Sequence, residues 1–308
     1  MFIEMEKWHG AKNDFLVTWI LTTDRDMLVP TFERLAPKLC ARDGSGVAAD
    51  GILVLVASSS KSPHPNELVI INSDGSQAKN CGNGLRCAAM SARKRALREG
   101  ISEFDGVTLT VQGLAIDCRF LGKEGTPFVA VTMPAPTINA ANSWNDEVMA
   151  AVNFQQKSNS KLLGDIETVS LGNPHVVLTV AEATPELTAF LGPPLQKVRG
   201  GDGINVHVTS AVEMSEKDRQ RARREIGEEI GDLYKVFPWE RGVGPTQACG
   251  TGACAVGATI LATGLSARAL WVALDMPGGR LYVKQAGQDD FITLAGPALF
   301  VFTASIDI

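Results

Sequence analysis

The feature that most constrains the fold is a tetrapeptide, Cys-Gly-x-Gly, that occurs once in each half of the chain. The two copies are Cys81-Gly82-Asn83-Gly84 and Cys249-Gly250-Thr251-Gly252. The residues after each copy predict a helix, from about Leu85 to Arg98 and from about Ala253 to Ala262. The second helix has almost only small or aliphatic side chains, which is typical of a helix enclosed by sheet. The repetition predicts two similar lobes, each with a central helix.

Apolar runs that predict strands fill much of the remaining sequence. They are Ile52–Ala57, Leu68–Ile71, Val107–Val111, Phe128–Thr132, Val176–Val180, Leu270–Leu274 and Leu281–Val283. A chain of 308 residues suits two domains of ~100–200 residues each. The Pro-rich stretch Met133–Pro136 is the predicted linker, because Pro ends strands. The sequence therefore predicts an α/β fold with an N-terminal lobe that carries Cys81 and a C-terminal lobe that carries Cys249.

Charge and hydropathy exclude several classes of partner. The formal net charge is −5 and the pI is about 5.5, so we expect no nucleic-acid partner. No apolar run reaches the ~20 residues that span a bilayer, and residues 1–10 lack the apolar segment of a secretory signal. We therefore expect a cytoplasmic protein with a small-molecule substrate, and its six cysteines are expected to be free thiols. A homodimer is compatible with the sequence.

The repeated motif also indicates a chemistry. A cysteine just before a helix lies among N–H groups without carbonyl partners, so we expect the pKa of Cys81 and of Cys249 to be low. Glycine turns let several N–H groups bind one anion, and two such turns are able to share one carboxylate. Each sulfur then lies on a different side of the attached α-carbon. A base on one face and an acid on the other invert a stereocentre.

The simpler interpretation of a lone cysteine is a small buried apolar residue. We keep it for Cys40, Cys87, Cys118 and Cys254. A metal site and a thioredoxin-like redox centre are both disfavoured, because the motif cysteines lack Cys-x-x-Cys spacing. His9, His64 and His207 are interpreted as structural or solvated, and the charged segment Glu213–Glu229 as a solvated helix or surface insertion.

Several blocks, in the order in which they occur, resemble the diaminopimelate epimerase family. These blocks are Trp8–Phe15, Asn72–Ser76 leading into Cys81–Cys87, Leu171–His175, Gly203–Val206, Trp239–Thr246 followed by Ala248–Ala255, and Met276–Gly279. The resemblance implies interconversion of LL- and meso-diaminopimelate, a step of lysine biosynthesis, without pyridoxal phosphate, any other cofactor or a metal. An isomerase of this family acts on a small amino-acid substrate.

The resemblance also implies roles for individual residues. Cys81 and Cys249 would be the proton donor and acceptor. His175 would stand beside Cys81 and favour its ionisation, and Glu240 would bind the substrate ammonium group or poise Cys249. The backbone N–H groups implied to hold the reacting carboxylate are those of Gly82, Asn83, Gly250 and Thr251. The side chains implied to hold the distal end of the substrate are Asn13, Asn72, Asn173, Asn205 and Arg241. Arg241 suits a second carboxylate, because a guanidinium binds carboxylates bidentately.

The family's fold would be two pseudo-symmetric lobes, each a curled mixed sheet wrapped around a central helix, with the last strand returning to the first lobe. The lobes would then be residues 1–133 with about 296–308, and residues 134–295. The chain departs from the family pattern at Gly51, where many members have glutamine, and at Lys12, where they have glycine. Pro245 replaces a common acidic residue, and the segment between Asn205 and Trp239 is longer than expected.

Three alternatives stay open at this point. The same two thiols would serve a racemase or epimerase of another amino acid, although Arg241 would then lack a distal carboxylate to bind. A binding or redox protein would cycle its cysteines through a disulfide. Pyridoxal-dependent racemisation would need a Schiff-base lysine and a phosphate cradle, for which the sequence offers no convincing pair.

Overall fold

A computed structural model describes residues 1–122, 127–138, 148, 150–152, 165–198, 203–264, 266–267 and 270–307. The chain divides into two compact units, one formed by residues 1–132 with 296–308 and the other by residues 133–295. Both units combine sheet with helix, which confirms the predicted α/β class. No helix among the described residues is long and apolar enough to cross a membrane.

The first unit contains a five-stranded sheet and a three-stranded antiparallel sheet segment. The five strands are β1 (Phe2–Gly10), β2 (Asn13–Leu21), β3 (Gly51–Ala57), β4 (Glu67–Asn72) and β17 (Leu299–Asp307). Their order is β17-β1-β2-β3-β4, and only the β2–β3 pair is parallel. The other three strands are β5 (Gly106–Val111), β6 (Leu114–Leu121) and β7 (Phe128–Met133).

Two helices pack on these strands. Helix α1 (Arg25–Leu39) lies on β3 and β4 and buries Leu28, Phe32 and Ala36 in the core there. Helix α2 (Gly82–Arg98) contacts β1, β2 and β5, and most of its buried residues are small, which allows the strands to come close on several sides. After α2, Gly100 takes a left-handed φ of +80°, which is common for the residue that ends a helix.

The second unit has one long mixed sheet. Its strands are β8 (Thr137–Ile138), β9 (Ile166–Ser170), β10 (Pro174–Thr179), β11 (Asn205–Val212), β12 (Ile230–Glu240), β13 (Gly244–Pro245), β14 (Trp271–Met276), β15 (Gly279–Lys284) and β16 (Ile292–Pro297). They follow the order β8-β9-β10-β11-β12-β14-β15-β16, with β13 paired to β12. The β10–β11 and β12–β14 pairs are parallel, and the β11–β12 pair is antiparallel. The start of β11 therefore lies beside the start of β10, and the end of β12 lies beside the start of β11.

Helix α5 (Gly250–Ala262) is the buried helix of the second unit. It contacts β9, β10, β11, β14 and β15, and nearly all of its residues are buried. Gly257 allows this close packing, since a Cβ there would lie 2.5 Å from Cγ1 of Val283. The enclosed helix predicted after Cys249 is therefore confirmed. A second helix, α3 (Pro185–Leu195), covers the apolar cluster formed with β10 and β11.

The charged segment after β11 forms helix α4 (Glu216–Glu225), in which Ala222 is buried. Ser215 and Asp218 form a capping box at its start, which satisfies two backbone N–H groups. The buried Arg280 bonds to Asp218 at 2.8 Å and holds the start of the helix against the sheet. This segment is a solvated helix, as interpreted from the sequence.

Candidate active site

Cys81 is the residue that caps α2. Its extended backbone precedes the first helical residue, and its Sγ accepts the N–H of Gly84 at 3.4 Å. A Cβ on residue 84 would lie 3.1 Å from Leu53 and 3.4 Å from the sulfur, so glycine permits this close approach. Cys81 is partly exposed. The thiol therefore lies at the positive end of a buried helix, as the motif predicts.

A polar network surrounds the start of α2. Asn83 donates to Oδ1 of Asn13 at 3.1 Å, and Asn13 donates to Asp50 at 2.5 Å. The guanidinium of Arg86, which is fully buried, donates to Oδ1 of Asn83 at 2.7 Å and to the carbonyl of Gly82 at 3.2 Å. The structure thus brings together two predicted site residues, Asn13 and Asn83. Sequence reasoning missed Asp50 and Arg86, which fix the orientation of both amides.

The turn that carries Asn13 is strained. Ala11 and Lys12 connect β1 to β2 with φ values of 51° and 67°, as a type I′ turn requires at both central residues. Such turns favour Asn-Gly, because side chains are disfavoured in the left-handed region. Lys12, which replaces the family's glycine, is exposed, so its charge lies in solvent while its backbone holds Asn13 next to Asp50.

Asn72 ends β4 and lies opposite Gly51 of β3. It is exposed, and its side chain donates to Oγ of Ser76 at 2.9 Å in a turn that contains Gly75 at a φ of +89°. A Cβ on residue 51 would lie 2.4 Å from the carbonyl oxygen of Ile71. The departure at Gly51 is therefore a backbone requirement of this β3–β4 pair, and a side chain at residue 51 would need the strands to move.

Cys249 caps α5 in the same way as Cys81 caps α2. Its Sγ accepts the N–H of Gly252 at 3.3 Å and lies 3.6 Å from Oγ1 of Thr251. The residue is buried, with 5% of its surface exposed, and its thiol also bonds to the carboxylate of Glu240 at the end of β12. The predicted residues Cys249, Thr251 and Glu240 thus lie together in one unit.

The expectation of a low pKa is wrong for Cys249. Burial raises the pKa of the Cys249 thiol well above 9.0, and the negative charge of Glu240 raises it further. The bonds from Thr251 and from the N–H of Gly252 lower the pKa but do not compensate. Helix-end N–H groups favour a thiolate, but the loss of solvation together with an adjacent carboxylate has the larger effect here. Cys249 is therefore a thiol at neutral pH in this structure.

His175 is buried at the start of β10, with both ring nitrogens bonded. Its Nδ1 lies 2.9 Å from Nε2 of His207, and its Nε2 lies 3.0 Å from Oδ1 of Asn173. Asn173 in turn donates from Nδ2 to Oγ1 of Thr251 at 3.4 Å. Burial lowers the pKa of His175 well below 6.5, and burial lowers that of His207 to about 3. Both imidazoles are therefore neutral at neutral pH.

The sequence interpretation treated His207 as structural or solvated and did not place it next to His175, to which it is bonded. It is fully buried and lies on β11, two residues after Asn205. Alternate residues of a strand share one face, and β10 places His175 beside Asn205. The period-two spacing of Asn205 and His207 is the signal that could have identified it.

Asn205 and Arg241 are joined through the backbone. The side chain of Asn205 donates to the carbonyl of Pro174 at 3.2 Å and accepts the N–H of Arg241 at 3.1 Å. Asn205 therefore fixes the chain just after β12, where Arg241 is exposed. The implied contacts of Asn205 and Arg241 with a substrate stay predictions.

The remaining thiols cap neither α2 nor α5. Cys40, Cys87, Cys118 and Cys254 are buried, and burial raises the pKa of Cys40 to about 11 and that of Cys87 and Cys118 further. This is the environment of structural cysteines. Within the described part of the chain, no cluster of three or more His, Cys, Asp or Glu side chains is arranged to hold a metal ion.

Comparisons with known proteins show which fold and which family the chain shares. A solved structure described as a predicted epimerase from Pseudomonas aeruginosa shares the fold, with a TM-score of 0.61, 16% identity and 99% of each chain covered. The diaminopimelate epimerase of Pseudomonas fluorescens (strain Pf0-1) is 31% identical over 99% of both chains. That of Thioalkalivibrio sulfidiphilus is 32% identical over 100% of both.

The model of one protein family covers most of the sequence. It is described as diaminopimelate epimerase and matches residues 6–111 and 167–301. Both Cys-Gly-x-Gly motifs, and all the residues singled out above as site residues, fall within these ranges. The chain therefore belongs to the diaminopimelate epimerase family and is an isomerase.

Proposed function

We propose that the protein interconverts LL- and meso-diaminopimelate by proton transfer between Cys81, Cys249 and the α-carbon, without pyridoxal phosphate. The observation that carries the proposal is that each cysteine caps its own buried helix and accepts the N–H of the third residue after it. Family membership supports the substrate, because the relatives with 31% and 32% identity are diaminopimelate epimerases.

In the proposed reaction one sulfur, as a thiolate, removes the α-proton, and the other, as a thiol, delivers a proton to the opposite face. The roles exchange with the stereochemistry of the substrate. The high pKa of Cys249 keeps this sulfur in the form that delivers a proton. Proton transfer by a placed side chain contributes roughly 10²–10⁴-fold, so stabilisation of the carbanion must supply much of the remaining acceleration.

The helix starts offer that stabilisation. The first N–H groups of a helix have no carbonyl four residues earlier to bind, and these are the N–H groups of Gly82 and Asn83 in α2 and of Gly250 and Thr251 in α5. In the proposal they bind the reacting carboxylate and oppose the negative charge that develops on it, without reorganising. In the proposal Glu240, which interacts with the thiol of Cys249, receives the substrate ammonium group or poises the thiol.

The distal end of the substrate carries a second carboxylate. The exposed guanidinium of Arg241 is proposed to bind it, since Arg pairs bidentately with carboxylates. The amides proposed to assist are Asn13, Asn72, Asn173 and Asn205. Asn13 and Asn205 are held in fixed orientations by bonds to Asp50 and to Pro174, which suits residues that select one substrate length.

The test is incubation of the reduced protein with LL-diaminopimelate in deuterated water. We expect meso product with deuterium at one α-carbon, and loss of turnover in Cys81→Ser and Cys249→Ser. Cys40→Ser, which changes a buried thiol that caps neither α2 nor α5, is the matched control and should retain the rate. Turnover without deuterium incorporation would exclude the proton-transfer mechanism, and turnover of a different amino acid in a substrate panel would exclude the proposed substrate.

A homodimer is also proposed. Strand β17 lies at the end of its sheet, and Leu299, Phe300, Val301 and Phe302 expose 40–50% of their surface. Exposed apolar edge strands pair readily with another chain, and two identical β17 strands would pair across a twofold axis. Phe302→Asp should convert a dimer to a monomer in sedimentation experiments, whereas a monomeric wild-type protein would contradict the proposal. A cytoplasmic location stays a prediction from the sequence.

A further inference from the structure

A chain of hydrogen bonds runs through the second unit from a buried imidazole to the sulfur of Cys249. It begins at Nε2 of His207, which lies 2.9 Å from Nδ1 of His175. It continues from Nε2 of His175 to Oδ1 of Asn173 at 3.0 Å and from Nδ2 of Asn173 to Thr251 at 3.4 Å. It ends with Oγ1 of Thr251, 3.6 Å from the sulfur.

The hydrogen bonds in this chain can be arranged in two self-consistent directions from donor to acceptor. In the first, every group donates towards Cys249, so that His207 donates to His175 and the hydroxyl of Thr251 donates to the sulfur. In the second, every bond is reversed: His175 donates from Nδ1 to His207, the amide of Asn173 is flipped, and Thr251 donates to Asn173. Only the first direction gives the sulfur a hydroxyl donor. A neutral imidazole carries one proton, so the tautomer of each histidine follows from the direction.

The environment of His207 selects the first direction. Its Nδ1 is buried and has no hydrogen-bond partner among the described residues. In the first direction Nδ1 carries no proton and is an acceptor with a free lone pair. In the second direction it is a buried N–H group without an acceptor. Buried N–H groups without partners are rarer than acceptors without partners. Since burial keeps both rings neutral, His207 carries its proton on Nε2 and donates it to His175.

Glycine at residue 252 holds the ring in place. A Cβ on Gly252 would lie 2.2 Å from Cε1 and 2.8 Å from Nδ1 of His207. The ring thus packs against the backbone of the first turn of α5, and the N–H of the same glycine donates to Cys249. His207 therefore contacts the helix start on one side and the hydrogen-bond chain on the other.

We propose that His207 is a positioning residue for Cys249: its Nε2–H fixes His175 and Asn173 so that the hydroxyl of Thr251 donates to the sulfur. Its role in turnover rests on the proposed function of Cys249. The bond from Thr251 stabilises the thiolate when Cys249 has given up its proton. Without the donor on His207, the hydrogen bonds can adopt the second direction. The thiolate of Cys249 then loses its hydrogen bond from the hydroxyl of Thr251.

The first experiment reads the tautomers directly. The protein has four histidines, so labelling them with ¹⁵N gives a simple long-range ¹H–¹⁵N spectrum at neutral pH. We expect neutral His175 and His207, each with its proton on Nε2. A proton on Nδ1 of His175 in the wild-type protein would overturn the proposal. This readout does not depend on turnover or on the role of Cys249.

The second experiment compares two variants of His207. His207→Gln retains an N–H near the position of Nε2, and His207→Phe retains the ring shape against Gly252 but has no donor. We expect His207→Gln to keep kcat within about threefold and His207→Phe to lower it about tenfold, with KM changed less than about twofold, as for one lost transition-state hydrogen bond. A purely packing role predicts the reverse order, with Phe the better replacement.

Thr251→Val provides the matched control, because it removes the hydroxyl that ends the chain and leaves the backbone N–H. We expect it to lower kcat as much as His207→Phe, and the double variant to lose no more than either single variant. Additive losses would overturn the proposal. If Cys249→Ser retains turnover, the proposed function fails, whereas the histidine tautomers still report on the chain.

Discussion

Gly252 and His207 are in such close contact that a Cβ on residue 252 would lie 2.2 Å from the imidazole Cε1. Gly252→Ala therefore must displace a fully buried ring that is bonded to His175. We expect it to lower the free energy of unfolding by about 1–3 kcal/mol, which is the usual range for overpacking, and to lower turnover. Denaturant unfolding and a rate assay measure both effects.

The control for that prediction is a double-mutant cycle. His207→Ala removes the ring. In this background Gly252→Ala should therefore lower the free energy of unfolding much less than it does in the wild-type protein. The two changes should couple by at least about 1 kcal/mol, as residues in contact do. Equal costs in both backgrounds would show that helix geometry, and not the ring, excludes a side chain at residue 252.

The sequence predicted the central parts of the fold well where apolar runs are continuous. The runs at Ile52–Ala57 and Phe128–Thr132 lie within β3 and β7. Helix α1 was not predicted, because Pro30 and Pro37 fall inside it and Pro normally interrupts a helical pattern. Pro193 and Pro194 concealed α3 in the same way. Strand β17 was not predicted either. Its residues Leu299–Phe302 are all exposed, so this part of the strand has no alternation of buried and exposed residues.

The candidate site could be predicted only where it is local in sequence. Cys81 and Cys249 cap helices that begin one residue later, because the Cys-Gly-x-Gly motif contains all the required information. His207 could not be identified in that way, since its contact with His175 depends on the register of the parallel β10–β11 pair. Nor could the pKa of Cys249 be predicted, because it depends on burial and on the carboxylate of Glu240 at the end of β12.

Replacement of Glu240 tests the electrostatic origin of that pKa. The carboxylate raises the pKa of the Cys249 thiol through its charge and through a hydrogen bond. Glu240→Gln removes the charge, so we expect the pKa of Cys249 to fall and its thiolate to form at lower pH. Difference ultraviolet titration of Glu240→Gln against Glu240→Gln/Cys249→Ser measures thiolate formation at this one residue.

The matched control is Glu229→Gln, which removes a carboxylate that pairs with Arg223 at the end of the charged segment. It should leave the titration of Cys249 unchanged. If the pKa of Cys249 is unchanged or higher in Glu240→Gln, the charge of Glu240 does not raise it and burial alone sets the pKa.

The buried histidines should make the protein sensitive to mild acid. The pKa of His207 falls from 6.5 to about 3 on folding, because burial disfavours the charged ring. Below pH 6.5 the unfolded chain binds a proton that the folded chain does not, so this residue's contribution to stability is complete above 6.5 and is lost as the pH falls towards 3. Within this range the loss is about 1.4 kcal/mol per pH unit for each such histidine.

His207→Gln measures this contribution, because glutamine does not titrate. Between pH 7 and pH 5 the wild-type protein should lose about 2 kcal/mol more unfolding free energy than the variant. His64→Gln, which changes an exposed histidine, should follow the wild-type pH dependence. If the unfolding free energy of the wild-type protein and of His207→Gln falls in parallel with pH, the His175–His207 pair binds a proton in the folded protein.

The strained turn before Asn13 gives the last prediction. Lys12 has a φ of 67°, where a side chain costs roughly 1–2 kcal/mol, and glycine adopts this conformation without that strain. Lys12→Gly also makes the unfolded chain more flexible, which offsets part of the gain by about 0.4–1 kcal/mol. We therefore expect a net rise of about 0.5–1 kcal/mol in unfolding free energy, measured by urea denaturation. Lys61→Gly, at an exposed turn residue outside the left-handed region, should lower stability, and a similar loss in Lys12→Gly would show that the lysine side chain stabilises the turn.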